Sequence, residues 1–371
     1  MAARIPMADL RREYGRIRPE IDQAIERVLR RGWFILGEEV EAFETEWAAY
    51  CGAPHAVGVG NGTDAVHLAL RAAGIGPGDE VVVPAMTAAF TALGVAMTGA
   101  TPVFADVDPM FYTLDADALA AAITPRTAAV VPVHLYGCPA DMEAILPVAR
   151  RYGLLVVEDA AQAHGARYAD TRAGALGDAA AFSFYPSKNL GAYGDAGAVC
   201  TGDADLAERL RALRHGGQRA TYHHELLGVN SRLDEIQAAI LRAKLPHLDS
   251  WNRRRQSLAG RYDAGLADAG DLGRPAVPPR AEHVYHQYVV RTSLRDALRD
   301  YLAGAGVATS IHYPCGVHLQ PAFAFLGYEP GSCPNAERLT AEVLSLPVFA
   351  QLTAPETQQV IRLVRFFFAM H

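Results

Sequence analysis

Seven short apolar runs recur through the first 200 residues, and they constrain the fold more than any other feature. They are "AVGVG" at 56–60, "EVVVP" at 80–84, "PVFADV" at 102–107, "AAVVPVH" at 128–134, "LLVVED" at 154–159, "AAAFSF" at 179–184 and "AGAVCT" at 196–201. Valine and alanine occupy both faces of these runs, so neither face turns to water. Most intervals between them can hold a crossover helix, and Ala-rich patterns such as "DAVHLALRAAG" fill several. Such alternation predicts an α/β sheet buried on both sides. The interval 185–195 differs. It contains Pro186, Gly191 and Gly194 and is too short and turn-prone for a parallel crossover. The chain therefore reads as a seven-stranded, mostly parallel sheet between helices, with its last strand antiparallel.

Before the sheet, Ile17, Ile21, Ala24, Ile25 and Val28 repeat at helical spacing. After it, residues 232–266 read as one long or two consecutive helices. Beyond the proline cluster "GRPAVPPR" at 273–280, "HQYVVRT", a helix near 294–304 and "GVATSIHYP" suggest a small α+β unit. The C-terminal "IRLVRFFFAMH" reads as a packed helix and tail. The expected division is a large α/β unit over 1–248, with an N-terminal helical arm, and a small C-terminal unit over 249–371.

Composition narrows the function. A net charge of −7 gives no reason to expect nucleic acid or an anionic membrane as partner. The stretch most suggestive of a membrane, residues 85–104, is broken by threonines, glycines and Pro102, and reads as a buried helix running into a strand. The N-terminus lacks the apolar run of a signal peptide. The five cysteines form no CxxC pair and are odd in number. Neither a metal site nor a disulfide framework is expected, and the cytoplasm is the default compartment.

Ligands of open α/β sheets bind outside the carboxyl ends of the strands. There "GNGTD" at 60–64 opens a helix. Gly62 permits close backbone approach, Thr63 offers a hydroxyl, and the helix start favours a phosphate. Thr63 or Asp64 could instead simply cap the helix. The dinucleotide pattern G-x-G-x-x-G fails, because position 63 is threonine. The fifth strand ends in Glu158 and Asp159, where an acid faces a ligand, a buried cation or the next helix as its cap. The sixth ends in "FSF" with Ser183, and Lys188 follows five residues later.

Lys188 is one of two lysines in a chain whose positive charge is otherwise carried by arginine. A lysine amine can lose its proton and attack a carbonyl, whereas arginine stays protonated. The other, Lys244, is expected to be replaceable without loss of that chemistry. Together these elements match pyridoxal 5′-phosphate. Gly62, Thr63 and Ser183 suit its phosphate, Asp159 its ring nitrogen, Gln162 its phenolic oxygen, and Lys188 its aldehyde as a Schiff base.

The chain also resembles the DegT/StrS-type nucleotide-sugar aminotransferases, which are fold-type-I pyridoxal-phosphate enzymes. The resemblance is carried by "GWFILGEEVEAFETEWAAYCG" at 32–52, "GNGTDAVHLAL" at 60–70, "PVFADVD" at 102–108, "VEDAAQAHGA" at 157–166, "SFYPSKNLGAYGDAGAV" at 183–199, "GVNSRLDEIQAAIL" at 228–241, "HYPCGVHLQPAF" at 312–323 and "LSLP" at 344–347. It implies the same cofactor roles for Lys188, Asp159, Gln162, Gly62, Thr63 and Ser183. It adds Asn230, which would reach the phosphate of a neighbouring subunit in a homodimer with shared active sites. The family stacks an aromatic on the cofactor ring, often directly after a threonine. Here Thr87 is followed by Ala88, and the nearest aromatic is Phe90. His312, Tyr313 and His318 are candidates for binding the sugar nucleotide or for a structural strand and turn.

The wording around Lys188 resembles enzymes that aminate C3 of dTDP-3-oxo-6-deoxyhexoses, with L-glutamate as expected donor. UDP-3-oxo sugar acids share this lysine loop, and amination at C4 is a further alternative. Two readings from other classes are a cofactor-binding regulator without turnover and a nicotinamide-dependent oxidoreductase. The first lacks residues for a DNA-binding module, and the second lacks the glycine fingerprint.

Overall fold

The computed structural model describes residues 5–371. Its main sheet has seven strands: β1 (His55–Val59), β2 (Glu80–Pro84), β3 (Thr101–Ala105), β4 (Thr127–Val130), β5 (Leu155–Asp159), β6 (Ala179–Ser183) and β7 (Gly197–Thr201). Each falls on one of the seven apolar runs. The spatial order is β1-β7-β6-β5-β4-β2-β3. Strands β2 to β6 pair in parallel, whereas β7 runs antiparallel to both β1 and β6. The loop 184–196 makes that reversal possible without a crossover helix.

The strand residues divide between two faces. Val81, Val83 and Val157 enter one apolar core, and Val82 and Val156 enter another on the opposite side. This is the two-residue period of a strand acting on β-branched residues, each contributing on the order of 1.5–3 kcal/mol when fully buried. Helices α1 (Leu10–Arg31), α2 (Glu38–Cys51), α3 (Gly62–Ala72), α4 (Ala89–Ala96), α5 (Ala116–Ala122), α6 (Met142–Tyr152) and α7 (Ala204–Leu213) flank the sheet or precede it.

The stretch predicted as one or two helices forms two, α8 (Glu235–Lys244) and α9 (Leu248–Gly265), with a 3₁₀ turn containing Pro246 between them. Glu235 caps another helix at long range. Its carboxylate accepts from the N–H groups of Gly37, Glu39 and Val40, where α2 begins without a side-chain cap of its own. A separate apolar core joins α9, α10 (Arg295–Gly304), α12 (Ala354–Met370) and the antiparallel pair β8 (Tyr288–Arg291) and β9 (Val343–Leu346), with Tyr262 and Tyr288 at its centre. Helix α11 (Pro334–Glu342) leads into β9. The expected strand in "GVATSIHYP" is reduced to isolated bridges at Val307 and Ser310. Among the described residues, no helix is long and apolar enough to cross a membrane.

Candidate active site

The two acids at the end of β5 point opposite ways, as adjacent strand residues must. Glu158 is fully buried and has no room for a ligand. It accepts from the N–H groups of Gly174, Leu176 and Gly177 and bonds His134 Nε2 at 2.9 Å. Asp159 faces the crevice. Its Oδ1 accepts from Ala161 N at 3.1 Å and its Oδ2 from Thr91 Oγ1 at 2.7 Å. No helix follows it to be capped. An ionised carboxylate has about four acceptor sites, so this buried group retains capacity for a cationic partner.

Lys188 lies in the loop that reverses the chain between β6 and β7. Its backbone N–H donates to Tyr185 O at 2.9 Å, and Ala192 N closes the loop onto Phe184 O at 2.8 Å. Gly191 is required there, because a Cβ would stand 2.4 Å from Pro186 O. The side chain is half-buried. Burial pushes its amine down to about 8, while the charge of Asp159 pulls the other way. Among the described residues, the amine has no ion-pair partner.

Three histidines feel the lysine's charge. His164 bonds Ser183 O at 2.9 Å, His286 bonds Asn189 Oδ1 at 3.2 Å, and His312 bonds Ser345 Oγ at 2.8 Å. Burial first, and the lysine second, hold His164 at about 3, His312 at about 4 and His286 well below the usual range. All three are therefore neutral near pH 7, so none of them adds a positive charge beside the lysine. Sequence reasoning did not single out His164 or His286. The available signal was a polar ring inside "QAHGA" and another inside "YHQYVVR".

Helix α3 starts beside Ser183. A Cβ on Gly62 would lie 2.6 Å from Ser183 Cβ, so only glycine lets the helix start and the end of β6 meet. The cap is Asn61, which accepts from Asp64 N at 2.9 Å. Neither Thr63 nor Asp64 caps the helix. Asp64 instead accepts from Asn61 Nδ2 and from Ser231 Oγ. The cap leaves the N–H groups of Gly62 and Thr63 directed outward from an eleven-residue helix, next to two hydroxyls. Ser183 Oγ accepts from Tyr185 N at 3.3 Å. Asn230, adjacent to Ser231, is exposed.

Gln162 accepts from Tyr136 N at 2.7 Å and donates to Tyr313 Oη at 3.1 Å. One of its two amide protons remains for a ligand. Burial pushes the Tyr313 phenol up to about 12. Tyr136 Oη in turn donates to His312 O. Gln162, His312 and Tyr313 thus form one bonded group. His318 stands apart from it, buried against Phe104 and Tyr328 and bonded to Glu337 at 3.1 Å. Phe90, in the first turn of α4, is 64% exposed.

The residues fit pyridoxal phosphate: an anion cradle at Gly62, Thr63 and Ser183, a buried carboxylate at Asp159, an amide at Gln162 and a deprotonatable amine at Lys188. No group of three or more possible metal ligands occurs among the described residues.

Comparison with known proteins agrees with this chemistry. Residues 16–365 match the model of the DegT/DnrJ/EryC1/StrS aminotransferase family. The dTDP-3-amino-3,4,6-trideoxy-alpha-D-glucose transaminase of Streptomyces venezuelae is 54% identical over 98% of this chain and 96% of its own. The UDP-2-acetamido-2-deoxy-3-oxo-D-glucuronate aminotransferase of Pseudomonas aeruginosa is 44% identical over 94% and 96%. The crystal structure of S. venezuelae DesV with a ketimine intermediate superposes with a TM-score of 0.97, at 53% identity and 99% coverage of both chains. The chain belongs to the DegT/DnrJ/EryC1/StrS aminotransferase family.

Proposed function

We propose that this aminotransferase moves an amino group from L-glutamate to C3 of a dTDP-linked 3-oxo-6-deoxyhexose, with pyridoxal phosphate held at the crevice described above. The observation that carries the reading is the coupling of Lys188 to Asp159, an amine lowered to about 8 by burial and held up by the charge of a buried carboxylate. When bound, the cofactor supplies an electron sink that makes the hydrogen on the amine-bearing carbon acidic. Asp159 holds a proton on the ring nitrogen, and Thr91 orients the carboxylate. Gly62, Thr63 and Ser183 anchor the phosphate end. Lys188 Nζ, brought down to about 8 so that a neutral fraction is present near working pH, would take the proton from the donor's α-carbon and return it in the reverse half of the reaction. His312, neutral because it is buried beside a cation, can bond a sugar hydroxyl without repelling Lys188. With Tyr313 it forms the wall toward the sugar.

Substrate choice rests on the wording of the lysine loop and on the name of the S. venezuelae relative. The P. aeruginosa relative supports a second reading, a UDP-linked 3-oxo sugar acid. Incubating the purified enzyme with glutamate and a panel of 3-keto and 4-keto nucleotide sugars, then identifying the products by mass spectrometry, separates these. Amination of only 4-keto sugars would overturn the C3 assignment, and no amination of any would favour a regulator.

The working unit in this reading is a homodimer, with Asn230 completing the partner's phosphate site. The exposure of Asn230, and of the large apolar side chains Trp33, Tyr222 and Leu227, supports burial against a second copy of this chain. Residues 1–248 would carry the cofactor and 249–371 form the smaller unit, a division supported by the separate core around Tyr262. Five free cysteines fit a cytoplasmic setting.

A further inference from the structure

We propose that Lys244 is a positioning residue for Lys188, clamping the loop from which the reactive amine projects. The inference rests on the reading that Lys188 carries the cofactor. The chain has only two lysines, and both converge on the segment 184–197. Lys244 closes α8 and is wholly buried. Its Nζ donates to Gly191 O at 2.7 Å and pairs with Glu13 Oε1 at 2.6 Å. The same ammonium sits 4.0 Å from the centroid of the Tyr193 ring. A carbonyl, a carboxylate and an aromatic face therefore surround one cation.

That environment explains why an arginine-rich chain keeps lysine here. An ammonium is a compact point donor, whereas a guanidinium is a planar fork with fixed directions and a larger head. Two of the three contacts, Gly191 and Tyr193, belong to the Lys188 loop, and the third ties the loop to α1. Gly191 lies where the loop folds back onto Pro186, so holding its carbonyl fixes the base of the turn that bears Lys188. Glu13, which pairs with Lys244, also lines a narrow cavity together with Ser187, Lys188 and Asn189 of this turn, so the clamp and the reactive lysine border one small space. Sequence alone marks Lys244 as replaceable, but its burial and partners argue otherwise.

The test compares Lys244→Met and Lys244→Arg with wild type in the cofactor-loaded enzyme. Circular dichroism establishes folding. The pH titration of the bound cofactor's visible band and the donor half-reaction are then measured. We expect both variants to shift the titration midpoint. The limiting rate should fall by about 10-fold, within the range that a small misplacement produces, while the glutamate concentration for half-maximal rate stays nearly constant. Without cofactor, amide exchange over residues 189–193 should accelerate. Wild-type titration and limiting rate in a folded variant, with only the melting temperature lowered, would reduce Lys244 to a scaffold and overturn the proposal. Should neither variant fold, Glu13→Gln carries the same test with the same expected and overturning results. If borohydride fails to fix cofactor onto Lys188 in wild type, the reading of Lys188 itself falls, whatever Lys244 does.

Discussion

Thr91 donates its hydroxyl to Asp159 across 2.7 Å, joining the first turn of α4 to the end of β5 inside a buried crevice. The bond orients the carboxylate, as the partner of a protonated ring nitrogen should be oriented. Asp159→Asn retains size and loses charge. We expect a fall in turnover of at least roughly 100-fold, the cost of removing one preorganised electrostatic partner. Thr91→Val keeps the shape and leaves Oδ2 short of a donor, which costs about 1–3 kcal/mol where the group is buried. Its rate should fall less than that of Asp159→Asn. Steady-state kinetics on both, with circular dichroism to establish folding, decides. A Thr91→Val enzyme with wild-type turnover would remove the hydroxyl from the mechanism.

Lys188→Ala should lose the visible band that borohydride bleaches in wild type, together with all transamination. The pH dependence of cofactor capture carries more detail. Only the neutral amine attacks, so capture by the cofactor-free chain should rise with pH. Burial lowers Lys188 from 10.5 to about 8, and the rise should centre there. Asp159 is the group that raises this value, so Asp159→Asn should move the midpoint to lower pH. Stopped-flow absorbance between pH 6 and 10 (roughly the span a shift of this size needs) checks the direction. A midpoint unmoved or raised in Asp159→Asn contradicts the assigned coupling.

The sheet was legible because each strand is a continuous apolar run, and burial on both faces leaves no competing pattern. Lys188 stands out in the sequence by its rarity, and Asp159 by its position at a strand end. Thr91 was not, because its partner lies 68 residues away and a threonine in a helical segment has no local mark. Asn61 was overlooked as the cap of α3 because Thr63 and Asp64 stand equally near the helix start. Glu235 and Lys244 both act across nearly 200 residues or through a folded loop, on α2 and on Gly191. Side-chain pairing of that kind is decided by packing. Phe90 is the aromatic nearest the second strand in sequence, and its exposure is set by the turn of α4 on which it falls.

Gly62→Ala tests the phosphate cradle. The new Cβ would lie 2.6 Å from Ser183 Cβ and 3.2 Å from its Oγ, so β6 and α3 must separate. Overpacking of this kind costs about 1–3 kcal/mol. The chain should remain folded but bind pyridoxal phosphate about 10-fold more weakly, since the displaced groups are the anion donors. Fluorescence titration with the cofactor measures this, and pyridoxal lacking the phosphate should lose far less. Equal losses for both would place the damage at the ring instead.

Asn230 tests whether the site is shared between subunits. It is exposed within the single chain, one residue from Ser231, whose hydroxyl accepts from Gly60 N at 2.9 Å. That location suits a side chain that serves a neighbour. Asn230→Asp sets a negative charge against the phosphate dianion and should weaken cofactor binding. Lys188→Ala abolishes the chemistry outright. In a heterodimer of the two inactive chains, one site collects both lesions, and the other combines an intact Lys188 with an intact Asn230 from opposite chains. Activity should reappear on subunit exchange and approach half of the wild-type value per dimer. Differently tagged chains allow the heterodimer to be isolated by sequential affinity steps. If isolated heterodimers stay inactive while both parents are folded and dimeric, Asn230 serves its own chain and the composite site is excluded.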